Sequence, residues 1–337
     1  MSGQPNADDV RLVEQLRDAH RRLRAEMGKV IVGQDDVLDQ LLMAIFCRSH
    51  ALLVGVPGLA KTLMVSTLAQ ALDMTFKRIQ FTPDLMPTDI TGTEVIQDDP
   101  ATGQRMFKFL PGPIFANIVL ADEINRTPPK TQAALLESMQ ERKASIGGID
   151  HPMKNPFFVL ATQNPIEQEG TYPLPEAQLD RFLFLVQVDY PTDAEEEQIM
   201  RLATSDVSPT VEKILHGDDI LELQHVVRRV PVADHIFAYA KRLTRMSRPN
   251  TPEAADFVNK WLTWGAGPRA SLNLILAAKA HAVLKGRFHV GADDVAAVAG
   301  PVLRHRLIPN FTAQSEGVTA DVVVKKLLAA VPKNQAA

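Results

Sequence analysis

The chain of 337 residues is predicted to fold as a three-layer α/β domain built on a five-stranded parallel sheet, followed by an all-helical domain. Three observations predict this. First, the apolar run 51–54 ends in a turn holding Gly55, Pro57 and Gly58. Behind it Leu63, Val65, Leu68, Ala69 and Leu72 recur at helical spacing. Second, strand-like runs return at 76–81, 118–122, 157–161 and 182–188, with helical patterns between them, which is the order of a parallel sheet joined by crossover helices. Third, from about Pro191 the strand signals stop and helical periods alone continue, which divides the chain into 1–192 and 193–337.

Composition narrows the classes of function. A formal charge of −4 and an isoelectric point near 6.2 leave no overall basic field to hold nucleic acid, although a local basic channel stays open. The single cysteine, Cys47, excludes an intrachain disulfide and lies in the apolar run 41–47, so it reads as core. No Cys/His cluster has metal-ligand spacing. The polar, acidic residues 1–9 lack the features of a secretory signal, and no apolar run approaches the ~18 residues of a membrane span. A soluble, cytoplasmic protein without membrane insertion is expected.

Taken in order, residues 1–8 read as disordered. Leu12, Leu16, Ala19, Leu23 and Met27 predict an amphipathic helix ending at Gly28, and a second helix follows through Leu38, Leu41, Leu42 and Ile45. Between them Val30-Ile31-Val32-Gly33 is either an adenine-contacting wall, through Val32 and Gly33, or a buried linker. Residues 82–115 look like an insertion, with a hairpin formed by 93–96 and 105–109; a second hairpin is expected at 143–156, after the helix 128–142. A short helix spans 173–181. The second half carries helical periods at 193–203, 218–227, 234–245, 253–262, 270–284, 292–303 and 319–330. The run Arg304-His305-Arg306 is a solvated face or packs near the domain boundary.

The chemistry concentrates at strand ends. Strand, glycine turn, then Lys61-Thr62 opening a helix is a phosphate-binding loop, whose backbone N–H groups from Gly55, Val56, Pro57, Gly58, Leu59, Ala60 and Leu63 surround phosphate oxygens, proline's missing N–H aside. Lys61 reaches the β and γ phosphates and Thr62 ligates Mg²⁺. Ala60 stands where glycine is usual; helical dihedrals there would suit alanine. At the end of the apolar run 118–121, Asp122 serves the metal and Glu123 polarises the attacking water. Asn164, after the run 157–161, either orients water or the γ-phosphate or belongs to a simple Asn-Pro turn. Arg181 ends a short helix, where a cation is favourable on structural grounds alone. Arg269 lies in the first turn of a helix, opposing its dipole by ~0.3–1 kcal/mol, which points to a partner carrying negative charge. Together these residues imply ATP and Mg²⁺ as cofactors.

The set Gly-Val-Pro-Gly-Leu-Ala-Lys-Thr, Leu-Ala-Asp-Glu-Ile-Asn-Arg, Ala-Thr-Gln-Asn-Pro, Leu-Pro-Glu-Ala-Gln-Leu-Asp-Arg-Phe and Gly-Pro-Arg-Ala resembles a MoxR-type AAA+ ATPase of the helix-2-insert clade, over nearly the whole chain after about residue 25. The resemblance implies a P-loop AAA+ core with a helical lid and Walker A roles for Lys61 and Thr62. It also implies Walker B roles for Asp122 and Glu123, and sensor 1 at Asn164. Arg181 would be an arginine finger acting on the neighbouring subunit's nucleotide, and Arg269 would be sensor 2. It further implies the two inserts at about 88–112 and 141–156, a hexameric ring, a protein client and a von Willebrand factor A-domain partner. An alanine at position 60 is common in that family's loop. Three rivals stay open: a magnesium-chelatase-type ATPase subunit, a DNA helicase or branch-migration motor drawing on Arg105, Lys108, Lys143 and Lys154, and a small-molecule kinase.

Overall fold

Val13, Leu16, Ala19, Leu23 and Met27 form one buried stripe on helix α1 (Ala7–Met27), the narrow apolar face its spacing requires. The computed structural model describes residues 7–98, 105–165, 170–206 and 209–333. Of residues 1–8, expected to be disordered, 1–6 lie outside them, as does the first hairpin's turn at 99–104, whereas Ala7 and Asp8 begin α1. Helix α2 (Asp35–Phe46) leads into β1 (Ala51–Val54), and α3 (Lys61–Ala71) into β2 (Phe76–Gln80). The short α4 (Pro87–Thr91) precedes the hairpin β3 (Gly92–Asp98) and β4 (Arg105–Pro111). Then come β5 (Ile118–Asp122), α5 (Pro129–Glu141), the hairpin β6 (Lys143–Ile146) and β7 (Ile149–Pro152), β8 (Phe158–Gln163), α6 (Glu176–Leu179) and β9 (Phe184–Gln187).

Five of these strands pair in parallel in the order β2-β5-β8-β1-β9. Alternation along each strand sends its residues to two different cores. Ala51, Leu53, Ile118 and Leu120 face α1, α2 and α3. Leu52, Val119 and Ala121 face Leu135, Leu136 and Met139 of α5. Register brings the strand ends level: Val54 is opposite Gln163 on one side and Gln187 on the other, and Gln80 is opposite Asp122. The phosphate loop, Asp122-Glu123 and Asn164 therefore leave one edge of the sheet, where ligands bind in folds of this kind.

The second half consists of α7 (Asp193–Ala203), α8 (Gly217–Arg229), α9 (Asp234–Met246), α10 (Asp256–Trp261), β10 (Leu262–Trp264), α11 (Pro268–Leu284), α12 (Ala292–Leu303), β11 (Ile308–Pro309), α13 (Phe311–Ser315) and α14 (Ala320–Ala330). It is not purely helical. The period expected to run helically through Leu262 ends at Trp261, where Leu262–Trp264 pairs antiparallel with Ile308–Pro309. Its hydrophobic core is continuous with the α1–α3 side of the sheet, where Leu274, Ala277 and Val226 join Leu41 and Leu23 in one cluster.

One buried cation pins the two halves together. Arg306 donates to Asp180 Oδ1 at 2.6 Å, Asp180 O at 3.0 Å, Phe182 O at 2.7 Å, Leu183 O at 3.3 Å and Val302 O. The basic run 304–306 thus packs at the boundary and is no solvated face. A buried guanidinium is tolerable there because its N–H groups reach a carboxylate and several carbonyls.

Candidate nucleotide site

The phosphate loop is built by two glycines with different duties. Gly55 lets the end of β1 approach β9, since a Cβ there would stand 2.7 Å from Val188 O. Gly58 takes φ +86°, which side chains rarely adopt. Ala60 departs from the expected helical dihedrals: with φ 51° and ψ 23° it is left-handed, one residue before α3 begins. The chain must turn sharply for the first-turn N–H groups to face outward, and the conformation costs an L-residue about 1–2 kcal/mol. Ala60→Gly should therefore raise unfolding free energy by about 1 kcal/mol, less the entropy glycine adds to the unfolded chain, read as a higher denaturant midpoint.

Lys61 lies across this turn. Its Nζ donates to Val56 O at 3.1 Å and to Gly55 O, holding the ammonium within the loop. Burial lowers its pKa, while the nearby carboxylates of Asp122 and Glu123 raise it. A cavity of ≈ 400 Å³ is lined by Pro57 through Leu63 together with Asp122, Glu123, Thr162 and Asn164. Three sequence segments from three strand ends thus meet at one place.

The carboxylates are held by groups that the sequence does not advertise. Thr162 donates from Oγ1 to Asp122 Oδ1 at 2.6 Å and accepts the Glu123 N–H at 2.8 Å. Arg78 reaches Asp122 Oδ2 from Nε at 3.0 Å and Nη2 at 2.6 Å. Gln80 Nε2 and Arg126 Nη1 donate to Glu123 Oε2 at 2.8 and 2.9 Å. Glu123 itself is left-handed, at φ 57°. Period-two alternation flags Thr162 once Asn164 is suspected, because the two share a face of the strand. Arg78 and Gln80 become visible only when β2 is known to lie beside β5.

A second cavity, of ≈ 720 Å³, adjoins the first through Pro57–Ala60 and Leu63. Val30, Ile31, Val32 and Gln34 form one wall, and Tyr190, Glu196, Ile199 and Leu202 form another. Val32 lines it. Gly33 does not: it takes φ +68° and packs on the Glu195 carboxylate, which fills the space a Cβ would need. Gly55 and Val56 contribute carbonyls to Lys61 and do not line either cavity.

Both candidate arginines stand away from these cavities. Arg181 Nη1 donates to Leu136 O at 2.8 Å, and the side chain lines a separate pocket of ≈ 260 Å³ with Glu137, Gln140 and Glu141. Arg269 meets Asp180 Oδ2 at 3.3 Å, so Asp180 joins it to Arg306. The two sequence neighbours Asp180 and Arg181 put both guanidinium groups near one end of α6, and neither contacts this chain's phosphate loop.

Comparison with known proteins agrees with this geometry. Residues 50–184 match the ATPase family associated with various cellular activities (AAA), and residues 254–327 match the AAA lid domain. Chaperone MoxR1 of Mycobacterium tuberculosis is 45% identical over 307 residues, covering 91% of this chain and 80% of that protein. Protein MoxR of Paracoccus denitrificans is 30% identical over 333 residues, covering 91% and 95%. The crystal structure of a Cytophaga hutchinsonii protein assigned as an ATPase superposes with a TM-score of 0.88 at 39% identity, covering 96% and 98% of the two chains. With the core, lid and loop described above, these relatives lead to one conclusion: the chain belongs to the MoxR family of AAA ATPases.

Proposed function

We propose that the protein hydrolyses ATP with Mg²⁺ and uses the cycle to remodel or mature a protein client, as a chaperone-like ring ATPase. The observation that carries this reading is the convergence of Lys61, Thr62, Asp122, Glu123, Thr162 and Asn164 on one cavity beneath a helix N-terminus. The donor set fits the metal. Thr62 and Asp122 offer hard oxygens to the same cavity, and among the described residues no group of three His, Cys, Asp or Glu could hold an ion unaided, so these two residues would hold the ion together with the nucleotide's phosphates. Bound there, the ion would neutralise charge on the phosphates.

The protein's own groups do the rest. Lys61 and the first-turn N–H groups of α3 bind and orient the phosphates. Glu123, aimed by Gln80 and Arg126, accepts a proton from the attacking water, and Asn164 orients that water or the γ-phosphate. The adenine fits the ≈ 720 Å³ cavity beside Val32 and Leu63. Arg181 and Arg269 serve the nucleotide of an adjacent subunit, which explains why neither meets its own. A hexameric ring, a cytoplasmic setting and a von Willebrand factor A-domain partner are parts of the same reading. The rival DNA motor loses support because two of its four insert cations are paired, Lys143 with Asp150 and Arg105 with Asp98.

The direct test is Lys61→Ala. Calorimetry should give an ATP affinity at least about tenfold weaker, the scale expected when a charge-assisted contact to phosphate is lost. Unchanged affinity would remove the phosphate-loop reading altogether.

A further inference from the structure

Helix α7 has no buried residue, although it borders the ≈ 720 Å³ cavity through Glu196, Ile199, Leu202 and Ala203. Turned away from that cavity, Asp193, Glu197 and Met200 share a neighbouring face at i, i+4 and i+7, with Met200 57% exposed. Glu197 is paired with Arg201 of the same helix, so that Asp193 is the leading acidic group there. A stripe with carboxylates at its N-terminal end and an apolar side chain at its C-terminal end is thus left on the rim of the nucleotide site. Elsewhere on the same chain lies a surface of the opposite kind. A groove of ≈ 610 Å³ between α9 and α11 has Phe237, Leu272 and Ile275 as its floor and Lys241, Arg245 and Arg248 as its rim. Phe237 is 48% and Leu272 63% exposed.

The groove begins at Pro268 and Ser271, on either side of Arg269. If Arg269 and Arg181 serve an adjacent copy's nucleotide, whatever borders that nucleotide must come up against the groove. Of the elements that border it, α7 is a helix with no buried residue, and so the one with a whole face left to meet a neighbour. We propose that the acidic face of α7 docks into the α9/α11 groove of the next copy, with Met200 on Phe237 and Leu272, and Asp193 and Glu197 towards the basic rim. The contact is heterologous, using two different patches of one chain, and so propagates around a ring. Lys241 is the cation best placed for it, since Arg245 already pairs with Glu253 and Arg248 gives its Nε–H to Ala266 O. Because α7 also walls the base cavity, nucleotide occupancy and subunit contact share one helix. This inference rests on the trans assignment of the two arginines.

Charge reversal tests it. The variants Asp193→Lys/Glu197→Lys and Lys241→Glu/Ser271→Glu each place like charge on both sides of the contact. Each alone, with ATP, should assemble with a dissociation constant at least about tenfold higher by sedimentation velocity, and the parent contact should weaken between about 0.1 and 0.5 M salt. Mixed in equal amounts, the two variants should assemble again, because in an alternating ring every α7 meets a groove of opposite charge. That recovery also shows that both variants are folded. Parent-like assembly of either variant alone, or no recovery on mixing while both bind ATP normally, would overturn the docking. Should a variant fail to bind ATP, Leu272→Asp replaces the groove variant and Met200→Asp the α7 variant. Parent-like assembly of either replacement counts against the proposal, and its dissociation counts for it. If the parent itself stays monomeric with ATP at all concentrations, the trans reading fails first and this contact with it.

Discussion

Arg181→Ala protein should bind ATP within a few-fold of the parent and hydrolyse it about 10³–10⁵ times more slowly, the range measured where an arginine finger is removed. The expectation starts from position. Arg181 donates to Leu136 O and lines a pocket with Glu137, Gln140 and Glu141, outside both cavities of its own chain. Loss of a merely structural cation at that place would shift stability and leave turnover nearly intact. Mixing Arg181→Ala with Glu123→Gln protein separates the two outcomes. Where the second variant presents its arginine to the first, that interface holds both intact groups, so activity should reappear from two nearly inactive parents. Full activity in a proven monomer, unchanged on dilution, would return Arg181 to a helix-end cation.

Glu123→Gln should lower turnover by ~10²-fold or more while ATP affinity stays within a few-fold, since the substitution removes a proton acceptor and little else. The geometry sharpens the expectation. Gln80 and Arg126 both donate to Glu123 Oε2 and so fix the carboxylate's orientation. An amide accepts those bonds through its oxygen, so the variant should keep the site's shape. Rapid mixing that resolves binding from hydrolysis, alongside steady-state turnover, checks it. Near-parent turnover would sink the assignment of Glu123 as base. The ATP-retaining variant should also hold a client long enough for capture.

What was legible in the sequence was what is local in the chain. Lys61-Thr62 after a glycine turn, Asp122-Glu123 after four apolar residues, and five strand runs are each contained in a dozen residues, where propensity and period decide. The conformation of Ala60 was not legible, because a residue's handedness beside a helix start depends on where the loop's N–H groups must point. The orienting partners Arg78 and Gln80 depend on β2 lying beside β5, a strand order that no stretch of sequence states; alternation points to Thr162, but not to its bond with Asp122, which needs β5 beside β8. Gly33 reads from sequence as part of a binding wall or of a buried linker, and its missing side chain makes room for Glu195, which is about 160 positions away. Arg306 looked solvated or boundary-bound by type, and only the packed structure chose between them.

Arg306 also settles what moves with what. Its guanidinium grips Asp180, the residue before Arg181, together with Phe182 O and Leu183 O just beyond it. Arg269 holds the same aspartate from the start of α11. The lid therefore does not swing freely over the sheet at this point. If Arg181 is the finger, lid and finger would move as the two arms of one lever, with Asp180 at the fulcrum. In the proposed ring, a tilt of one subunit's lid would displace the charge that its neighbour would use, and the firing order of the sites would follow from the joints between copies rather than from any single pocket.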